Sequence, residues 1–238
     1  MIFSKDVIPY IQGEKFSNGL NVTISAREPE VPERMSFVEK LIEGKNVIHF
    51  GCVDHLETIE SKLKLNTWFH KRLTEKAARC AGIDINSQGI DYIRKLGYKD
   101  VYCMDIINDE LPQELSGQKW DYLILGEILE HVDNPVTFLS AIKTKYSSIA
   151  SKIIITVPYA FRLSNFKKIL KHKEFINTDH RFWFTPYTLA KLVSCSQMAV
   201  ESFYFVQSYK LSRYSLINKF LLKRYPGLRD TLILIADF

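Results

Sequence analysis

Five short apolar runs, each followed by a segment with helical spacing of its apolar residues, dominate the middle of this chain. Runs that are apolar at nearly every position suit strands buried on both faces of a parallel sheet. Successive strand–helix units imply right-handed parallel crossovers between those strands. The sequence therefore predicts an α/β domain, with strands at residues 47–50, 81–85, 101–105, 120–126 and 152–158 and two more near residues 201–207 and 231–236.

The composition narrows the setting of the protein. The 238 residues are enough for one domain with a substantial core, and a net charge of +5 permits an anionic partner without requiring one. The four cysteines, at positions 52, 80, 103 and 195, lack C-x-x-C spacing, which is typical of reduced structural thiols. No apolar run reaches transmembrane length. We therefore expect a cytoplasmic protein with peripheral membrane contact at most.

The segments around the predicted strands define the domain organisation. Proline and glycine interrupt residues 1–33, which we interpret as an N-terminal extension lying against a domain at residues 34–238. A helix at residues 36–43, ending at Gly44, leads into the first strand. Residues from 56 to about 65 lack periodicity and are interpreted as a long loop. Residues from about 159 to 185 are basic and aromatic and are interpreted as an insertion after the fifth strand.

The loop after the first strand favours a nucleoside ligand. Gly51 stands alone where G-x-G-x-x-G would supply three glycines, so a dinucleotide pyrophosphate would lack its usual backbone cradle. A nucleoside without phosphates, such as S-adenosylmethionine, fits this loop better. At the ends of the next two strands, the Asp84 carboxylate can accept from both ribose hydroxyls and Asp105 can accept from an adenine amino group.

These segments resemble the motifs of the class I S-adenosylmethionine-dependent methyltransferases. The resemblance is carried by Val47–Cys52, Gly82–Ile85, Met104–Asp105 and Asp121–Val132. It implies a Rossmann-like seven-stranded sheet with helices on both faces, S-adenosylmethionine as cofactor, and a cofactor site formed by Phe50, Gly51, Cys52, Val53, Asp54, His55, Asp84, Ile85, Asp105, Ile106, Gly126 and Glu127. The chain departs from the first motif at Val53 and His55, which replace glycines. The form Gly51–His55, with Trp68–His70 downstream, resembles a glycan-associated bacterial subgroup.

Glu127, Glu130 and His131 form the pattern E-x-x-E-H, which we expect at the start of a helix, where two or three of these side chains can share a cation. The pattern resembles the metal site of ubiquinone-pathway O-methyltransferases and of small-RNA terminal 2′-O-methyltransferases, and His180 matches a downstream histidine of the latter. Carboxylates and imidazoles suit Mg²⁺ or Mn²⁺. Metal-independent relatives share the same helix start, and there His131 or His180 is the best general base. Glu127, His131 and His180 are therefore the candidate catalytic residues.

Two basic segments near the C-terminus bear on the methyl acceptor. Lysines and aromatic residues at 161–184 suit a pocket for a sugar carrying phosphate or carboxylate, and a solvated basic face over core-facing aromatic rings explains them equally well. Residues 212–224 are amphipathic and basic. A helix of this kind more often packs on its own domain, and the other interpretation is contact with an anionic membrane. The sequence favours O-methylation of a sugar or glycan precursor. RNA terminal 2′-O-methylation and a degenerate fold acting as a binding or scaffold protein are the alternatives.

Overall fold

The computed structural model describes residues 1–23 and 30–238, and it contains a single seven-stranded sheet. Its strand order is β3-β2-β1-β4-β5-β7-β6. The seven strands lie within one residue of the predicted segments at most of their ends. They are β1 (Asn46–Phe50), β2 (Arg79–Asp84), β3 (Val101–Cys103), β4 (Trp120–Gly126), β5 (Ala150–Pro158), β6 (Ala199–Val206) and β7 (Thr231–Asp237).

Strands β1 to β5 are parallel, as the strand–helix alternation predicted, and β7 pairs antiparallel with both β5 and β6. In the middle of the sheet, Ile48 of β1 lies between Ala81 of β2 and Leu123 of β4. The chain order reverses at β1, because β2 lies on one side of it and β4 on the other. The loops after β1, β2 and β4 therefore meet at one edge, which is the usual ligand site of an open α/β sheet.

Helices cover both faces of this sheet, and alternate residues of each strand point to opposite faces. Along β4, Leu123 and Leu125 belong to one buried cluster and Ile124 belongs to another. The helices are α1 (Ile8–Gln12), α2 (Arg34–Ile42), α3 (Ile59–Lys64), α4 (Phe69–Thr74), α5 (Ser87–Lys95), α6 (Gln113–Ser116), α7 (Pro135–Tyr146), α8 (Leu163–Ile169), α9 (Pro186–Cys195) and α10 (Leu216–Arg224). Among residues 1–23 and 30–238, every helix is too short or too polar to span a lipid bilayer.

The two clusters divide the helices between the faces. Leu139 of α7, Leu189 of α9 and Ile11 of α1 share the first cluster, whereas Ile42 of α2 and Leu73 of α4 share the second. The early part of the N-terminal extension thus packs against the domain, with α1 beside α9. Residues 24–29 of the extension lie outside the described part of the chain.

Two local predictions were wrong. Residues 56–65 are not an open loop, because a 3₁₀ turn (Leu56–Thr58) leads directly into α3. This helix is short and buries only Ile59, so it shows no apolar period. The E-x-x-E-H residues do not begin a helix. Glu127 has a left-handed backbone with φ of 58°, residues Leu129–His131 form a 3₁₀ turn, and α7 begins only at Pro135 after the Asn134 cap.

The chain between β5 and α9 leaves the sheet and returns close to where it left. Tyr159 and Phe184 form a parallel β-bridge, and the N–H of Ala160 donates to the carbonyl of Phe184 at 2.9 Å. The intervening residues include α8 and the segment that carries His180. They form a loop that rises from the edge of the sheet where the loops after β1, β2 and β4 meet.

Candidate active site

The loop after β1 turns at Gly51, whose φ of 72° lies in the left-handed region that favours glycine. The N–H groups of Gly51 and Cys52 both donate to the carbonyl of Ile83, at 2.8 and 3.3 Å, which ties this loop to the end of β2. The indole N–H of Trp68 donates to the carbonyl of Cys52 at 3.1 Å. The turn is thus fixed from two sides at the point where the cofactor site is predicted.

Two further glycines let this loop lie close to its neighbours. A Cβ at Gly82 would stand 2.8 Å from Cys52 Sγ, and one at Gly89 would stand 2.3 Å from Val53 Cγ1. Cys52 and Val53 are fully buried, so these contacts cannot be relieved by moving a side chain into solvent. Gly82 and Gly89 therefore leave the space that Cys52 and Val53 occupy, a role that the residues of the first loop do not reveal by themselves.

Asp84 is the last residue of β2 and faces the Gly51 loop. One carboxylate oxygen accepts from the N–H of Val53 and the other from the N–H of Asn86, each at 3.0 Å. Burial raises the pKa of this carboxyl group above its usual value. Each oxygen keeps a further lone pair for a ligand hydroxyl. Beside it, Ile85 is 74% exposed and offers an apolar face suited to a purine ring.

Asp105, after β3, has its carboxylate engaged by its own turn. It accepts from the N–H groups of Ile107 and Asn108, at 2.8 and 3.1 Å, and from the Asn108 amide at 2.8 Å. The hydrogen bond from Ile107 is the main reason that the pKa of Asp105 is lowered. Ile106 is half-buried next to it. The Asp105 carboxylate thus stabilises the conformation of its own loop. An adenine amino group would be a fourth donor to a carboxylate that already accepts three hydrogen bonds.

Sequence reasoning missed Arg34, a residue that reaches the site from α2. Its guanidinium Nη1 lies 3.5 Å from Glu127 Oε1, and the group also lies over the Phe69 ring, 5.1 Å from its centroid. Glu127 is placed by its left-handed turn and by a hydrogen bond from its N–H to the carbonyl of Thr156 at 2.9 Å. Only the fold could reveal this ion pair, because α2 precedes β1 and Glu127 follows β4.

Glu130 is fully buried, and neither of its carboxylate oxygens has a hydrogen-bond partner among the described residues. Burial, reinforced by the nearby charge of Glu127, raises the pKa of Glu130 to about 8. A buried acid without partners costs free energy unless it is protonated or meets a cation. This side chain was predicted as a metal ligand, and its environment suits that role.

His131 and His180 lie beside Glu130. One ligand atom from each of these three side chains lies within 4.8 Å of the others. The two imidazole rings meet edge to face with centroids 4.7 Å apart, and His180 Nδ1 is buried without a hydrogen-bond partner in the described structure. Burial also lowers the pKa of His180, which favours its neutral, metal-binding form. Glu127, paired with Arg34, stands outside this group.

The segment that carries His180 is held against the 3₁₀ turn by its neighbours. The N–H of Arg181 donates to the carbonyl of Glu130 at 2.8 Å, and its guanidinium pairs with Asp133. Asp179 Oδ2 lies 3.0 Å from His131 Nδ1. Since a carboxylate only accepts, this contact places the proton on Nδ1 and leaves the Nε2 lone pair of His131 free for a proton or a metal.

The remaining predicted residues of the first loop lie at its outer end. Asp54 has a left-handed backbone with φ of 61°, accepts from the N–H of His55 at 2.7 Å and pairs with Lys62. Phe50 is buried under the loop, whereas Gly126 ends β4 and lies against the Phe69 ring. The structure thus brings the predicted cofactor residues to the same edge of the sheet as the Glu130, His131 and His180 cluster.

Comparisons with known proteins agree on the architecture. No protein-family profile and no curated protein sequence matches this chain. A SAM-dependent methyltransferase from Archaeoglobus fulgidus is 17% identical, with a TM-score of 0.50 over 86% of this chain and 91% of that one. Magnesium protoporphyrin IX methyltransferase from Synechocystis PCC 6803, solved with bound SAH, is 16% identical, with a TM-score of 0.51 over 86% and 81%.

The small RNA methyltransferase HEN1 is also similar, at 18% identity and a TM-score of 0.56 over 93% of this chain. The match covers 27% of the HEN1 chain, so this protein corresponds to one portion of a much longer one. All three similarities lie in the arrangement of strands and helices, since the identities are low. The described chain therefore has the fold of the class I S-adenosylmethionine-dependent methyltransferases.

Proposed function

We propose that this protein is an S-adenosylmethionine-dependent O-methyltransferase that holds a divalent cation with Glu130, His131 and His180. The observation that carries the proposal is the buried Glu130 carboxyl group, which has no partner among the described residues yet lies against two imidazoles. A carboxylate with two imidazoles suits Mn²⁺ or Mg²⁺. The cluster lies at the edge of the sheet where the fold places its ligands.

The cofactor site is proposed for the loops after β1, β2 and β3. The Gly51 turn would border the methionine part, Asp84 would accept from the ribose hydroxyls, and Ile85 with Ile106 would contact adenine. When bound, S-adenosylmethionine supplies an electrophilic methyl group on a sulfonium. The geometry of Asp84 supports this assignment, since its two oxygens are already oriented by the N–H groups of Val53 and Asn86.

The protein would then align an acceptor hydroxyl with that methyl group. A divalent cation, when bound, would lower the pKa of a coordinated hydroxyl. Asp179 holds the proton of His131 on Nδ1, which leaves Nε2 as the acceptor atom. Glu127, held by Arg34, would border the acceptor as a hydrogen-bond acceptor. If methyl transfer proceeds without metal, the same Nε2 is the general base that takes the hydroxyl proton.

A cavity that is connected to this cluster through Arg162 and Trp183 is the proposed acceptor site. It has a volume of about 140 Å³ and lies between α8 and α10, with polar lining residues that include Arg162, Lys167, Gln207, Asn218 and Asp230. Arg162 lies over the Trp183 ring at 4.9 Å, and Trp183 in turn contacts His180. The buried Gln207 Oε1 has no partner in the described structure. Such a set of donors and acceptors suits a sugar or glycan precursor.

RNA terminal 2′-O-methylation is the second candidate. It is favoured by the HEN1 similarity over 93% of this chain and by the E-x-x-E-H pattern with a downstream histidine. In both candidates the acceptor hydroxyl has a neighbouring hydroxyl that can share the cation. Only RNA binding, however, should weaken steeply as salt rises.

The test is calorimetric titration with S-adenosylhomocysteine and, separately, with MnCl₂. We expect saturable binding of both. We expect Asp84→Ala to weaken S-adenosylhomocysteine binding by about tenfold or more, since the hydrogen bonds from the N–H groups of Val53 and Asn86 and those to ribose are lost. His131→Ala should retain S-adenosylhomocysteine affinity and lose Mn²⁺ binding. Asp91→Ala, which removes an exposed acid of α5, is the matched control and should change neither.

Two outcomes would contradict the proposal. Absence of S-adenosylhomocysteine binding would favour the scaffold alternative. If the protein binds neither Mn²⁺ nor Mg²⁺ and methyl transfer persists in EDTA, the reaction does not use a cation and His131 is the general base.

A further inference from the structure

Exposed apolar side chains are concentrated on one region of the surface. Of the 18 large hydrophobic residues exposed in the described chain, 12 lie in residues 161–225: Phe161, Phe166, Ile169, Leu170, Phe175, Ile176, Phe182, Tyr209, Leu216, Ile217, Phe220 and Tyr225. Isolated apolar residues are normal on a protein surface, whereas a contiguous group marks an interaction site. Most of this group belongs to α8, α10 and the residues beside them.

Helices α8 and α10 are joined on this surface. Lys167 Nζ of α8 donates to Asn218 Oδ1 of α10. Helix α8 buries none of its side chains, and α10 buries only Leu222. We call residues 161–176 and 209–225 the α8–α10 surface. Its helices present their apolar side chains to solvent rather than to the core.

The charge of this surface is strongly one-sided. Residues 209–225 contain five basic residues and no acidic one, and residues 161–176 contain five lysines or arginines and a single acid, Glu174. Lys168 lies over the Phe175 ring at 5.1 Å and Arg213 over the Tyr209 ring at 5.0 Å, so cationic and apolar groups are interleaved. The surface combines a positive charge with protruding aliphatic and aromatic groups.

We propose that the α8–α10 surface docks on an anionic lipid bilayer. Apolar side chains such as Leu216 and Phe220, 82% and 65% exposed, would enter the boundary between headgroups and acyl chains. The surrounding lysines and arginines would lie among anionic headgroups, where each contributes roughly fivefold in affinity. This combination is the chemistry of a peripheral membrane helix.

Two other occupants fit the surface less well. A second copy of the chain would bring two like-charged surfaces together, which is unfavourable. RNA would pair with the lysines and could stack on rings such as Phe175 and Phe220. The three most exposed apolar side chains of this surface, Leu170, Leu216 and Ile217, are however aliphatic and offer no stacking face to a base. Charge complementarity and aliphatic character together favour a bilayer.

The test is flotation of the purified protein with vesicles made of equal parts phosphatidylcholine and phosphatidylglycerol. We expect the protein to float with these vesicles and to remain at the bottom with pure phosphatidylcholine. Leu216→Ser with Phe220→Ser should weaken binding by at least about tenfold, because two apolar side chains that would leave water on binding are lost. Lys171→Glu with Lys223→Glu should weaken it at least as much.

Matched controls lie elsewhere on the surface. Phe16→Ser with Leu65→Ser removes apolar side chains of similar exposure, 85% and 67%, and Lys95→Glu with Lys99→Glu removes exposed lysines. Both should bind like the wild type. These measurements do not depend on the proposed function, since S-adenosylhomocysteine binding is measured separately in each variant.

Three results would overturn the proposal. The first is equal binding to neutral and anionic vesicles, and the second is equal loss of binding in the controls. The third is a wild-type protein that does not bind vesicles and instead has another partner. That partner would be a second copy, if light scattering shows a dimer that the Leu216 and Phe220 substitutions dissociate, or RNA, if the protein binds an RNA oligomer and these substitutions leave that binding unchanged.

Discussion

Ionisation of the Glu130 carboxyl group is opposed by its burial in the folded protein. Its pKa is raised from 4.5 to about 8 by burial and by the charge of Glu127. Because the folded state binds this proton more tightly than the unfolded chain, stability must fall as pH rises from 4.5 through 8. A bound cation would reverse the penalty by accepting the charge of the carboxylate.

Glu130→Gln should therefore stabilise the metal-free protein above neutral pH. We expect a gain of about 1–3 kcal/mol at pH near 8, because the amide never ionises, and little change near pH 4.5. Thermal melts in EDTA across this pH range provide the measurement. Added Mn²⁺ should raise the melting temperature of the wild type and leave the variant unchanged. A variant that is less stable than the wild type at every pH would contradict this account of Glu130.

At the scale of the element, the loop after β1 is shaped by the helix and strand beneath it. Val53 fits only because Gly89 of α5 has no side chain, and Cys52 fits only because Gly82 of β2 has none. The loop in turn supplies the N–H that orients Asp84. The absence of side chains at Gly89 and Gly82 therefore sets the position of the loop that orients Asp84 in the proposed ribose site.

Gly89→Ala should destabilise the protein and weaken cofactor binding. The new methyl group would stand 2.3 Å from Val53 Cγ1, and relieving this overlap should cost about 1–3 kcal/mol. Denaturant unfolding and S-adenosylhomocysteine titration measure the two effects. Combining Gly89→Ala with Val53→Ala should recover part of the loss, and Gly19→Ala, whose Cβ meets nothing within 4 Å, is the control. Full additivity in the double variant would show that the two residues do not compete for space.

The elements differ in how far the sequence could predict them. Central strands such as β4 were predicted because burial on both faces leaves a continuous apolar run. Helix α3 was missed because it is short and buries only Ile59, so that no apolar period marks it. The left-handed turn at Glu127 and its pairing with Arg34 depend on contacts between distant segments, which local pattern does not record.

At the scale of the whole molecule, buried histidines add a second pH dependence. His49 of β1 and His70 of α4 are buried with their Nδ1 atoms 3.3 Å apart, so one nitrogen donates and the other accepts. Burial lowers the pKa of both, that of His70 to about 4. Since the unfolded chain binds these protons more readily, stability is present above about pH 6.5 and is lost as pH falls toward 4.

His70→Leu should reduce the dependence of the unfolding free energy on pH below about pH 6.5. The wild type should lose about 1–3 kcal/mol between pH 7 and pH 5, and the variant should lose clearly less, whatever its stability at pH 7. The readout is the slope of the urea unfolding free energy against pH, which a simple packing defect would not alter. An unchanged slope would show that these histidines do not govern acid unfolding.

Across the whole sheet, the topology and the edge where the carboxylates after β2 and β3 lie were predictable, whereas the cavity between α8 and α10 was not. The carboxylates at the ends of β2 and β3 follow from strand order, but the cavity between α8 and α10 joins segments about 50 residues apart through single contacts such as that of Lys167 with Asn218. Residue type alone left the basic aromatic segments open to several interpretations. Their exposure in the folded chain favours a surface role.

The bridge between Tyr159 and Phe184 holds together the two ends of the segment between β5 and α9, so this segment could be exchanged as a unit. Because the chain departs and rejoins the sheet at neighbouring positions, the residues between them can change in length or composition without disturbing strand register. Under the proposed function, a chimera that exchanges residues 160–183 should keep S-adenosylhomocysteine binding while its preference among methyl acceptors changes. Diversification of substrate preference would then require no redesign of the scaffold.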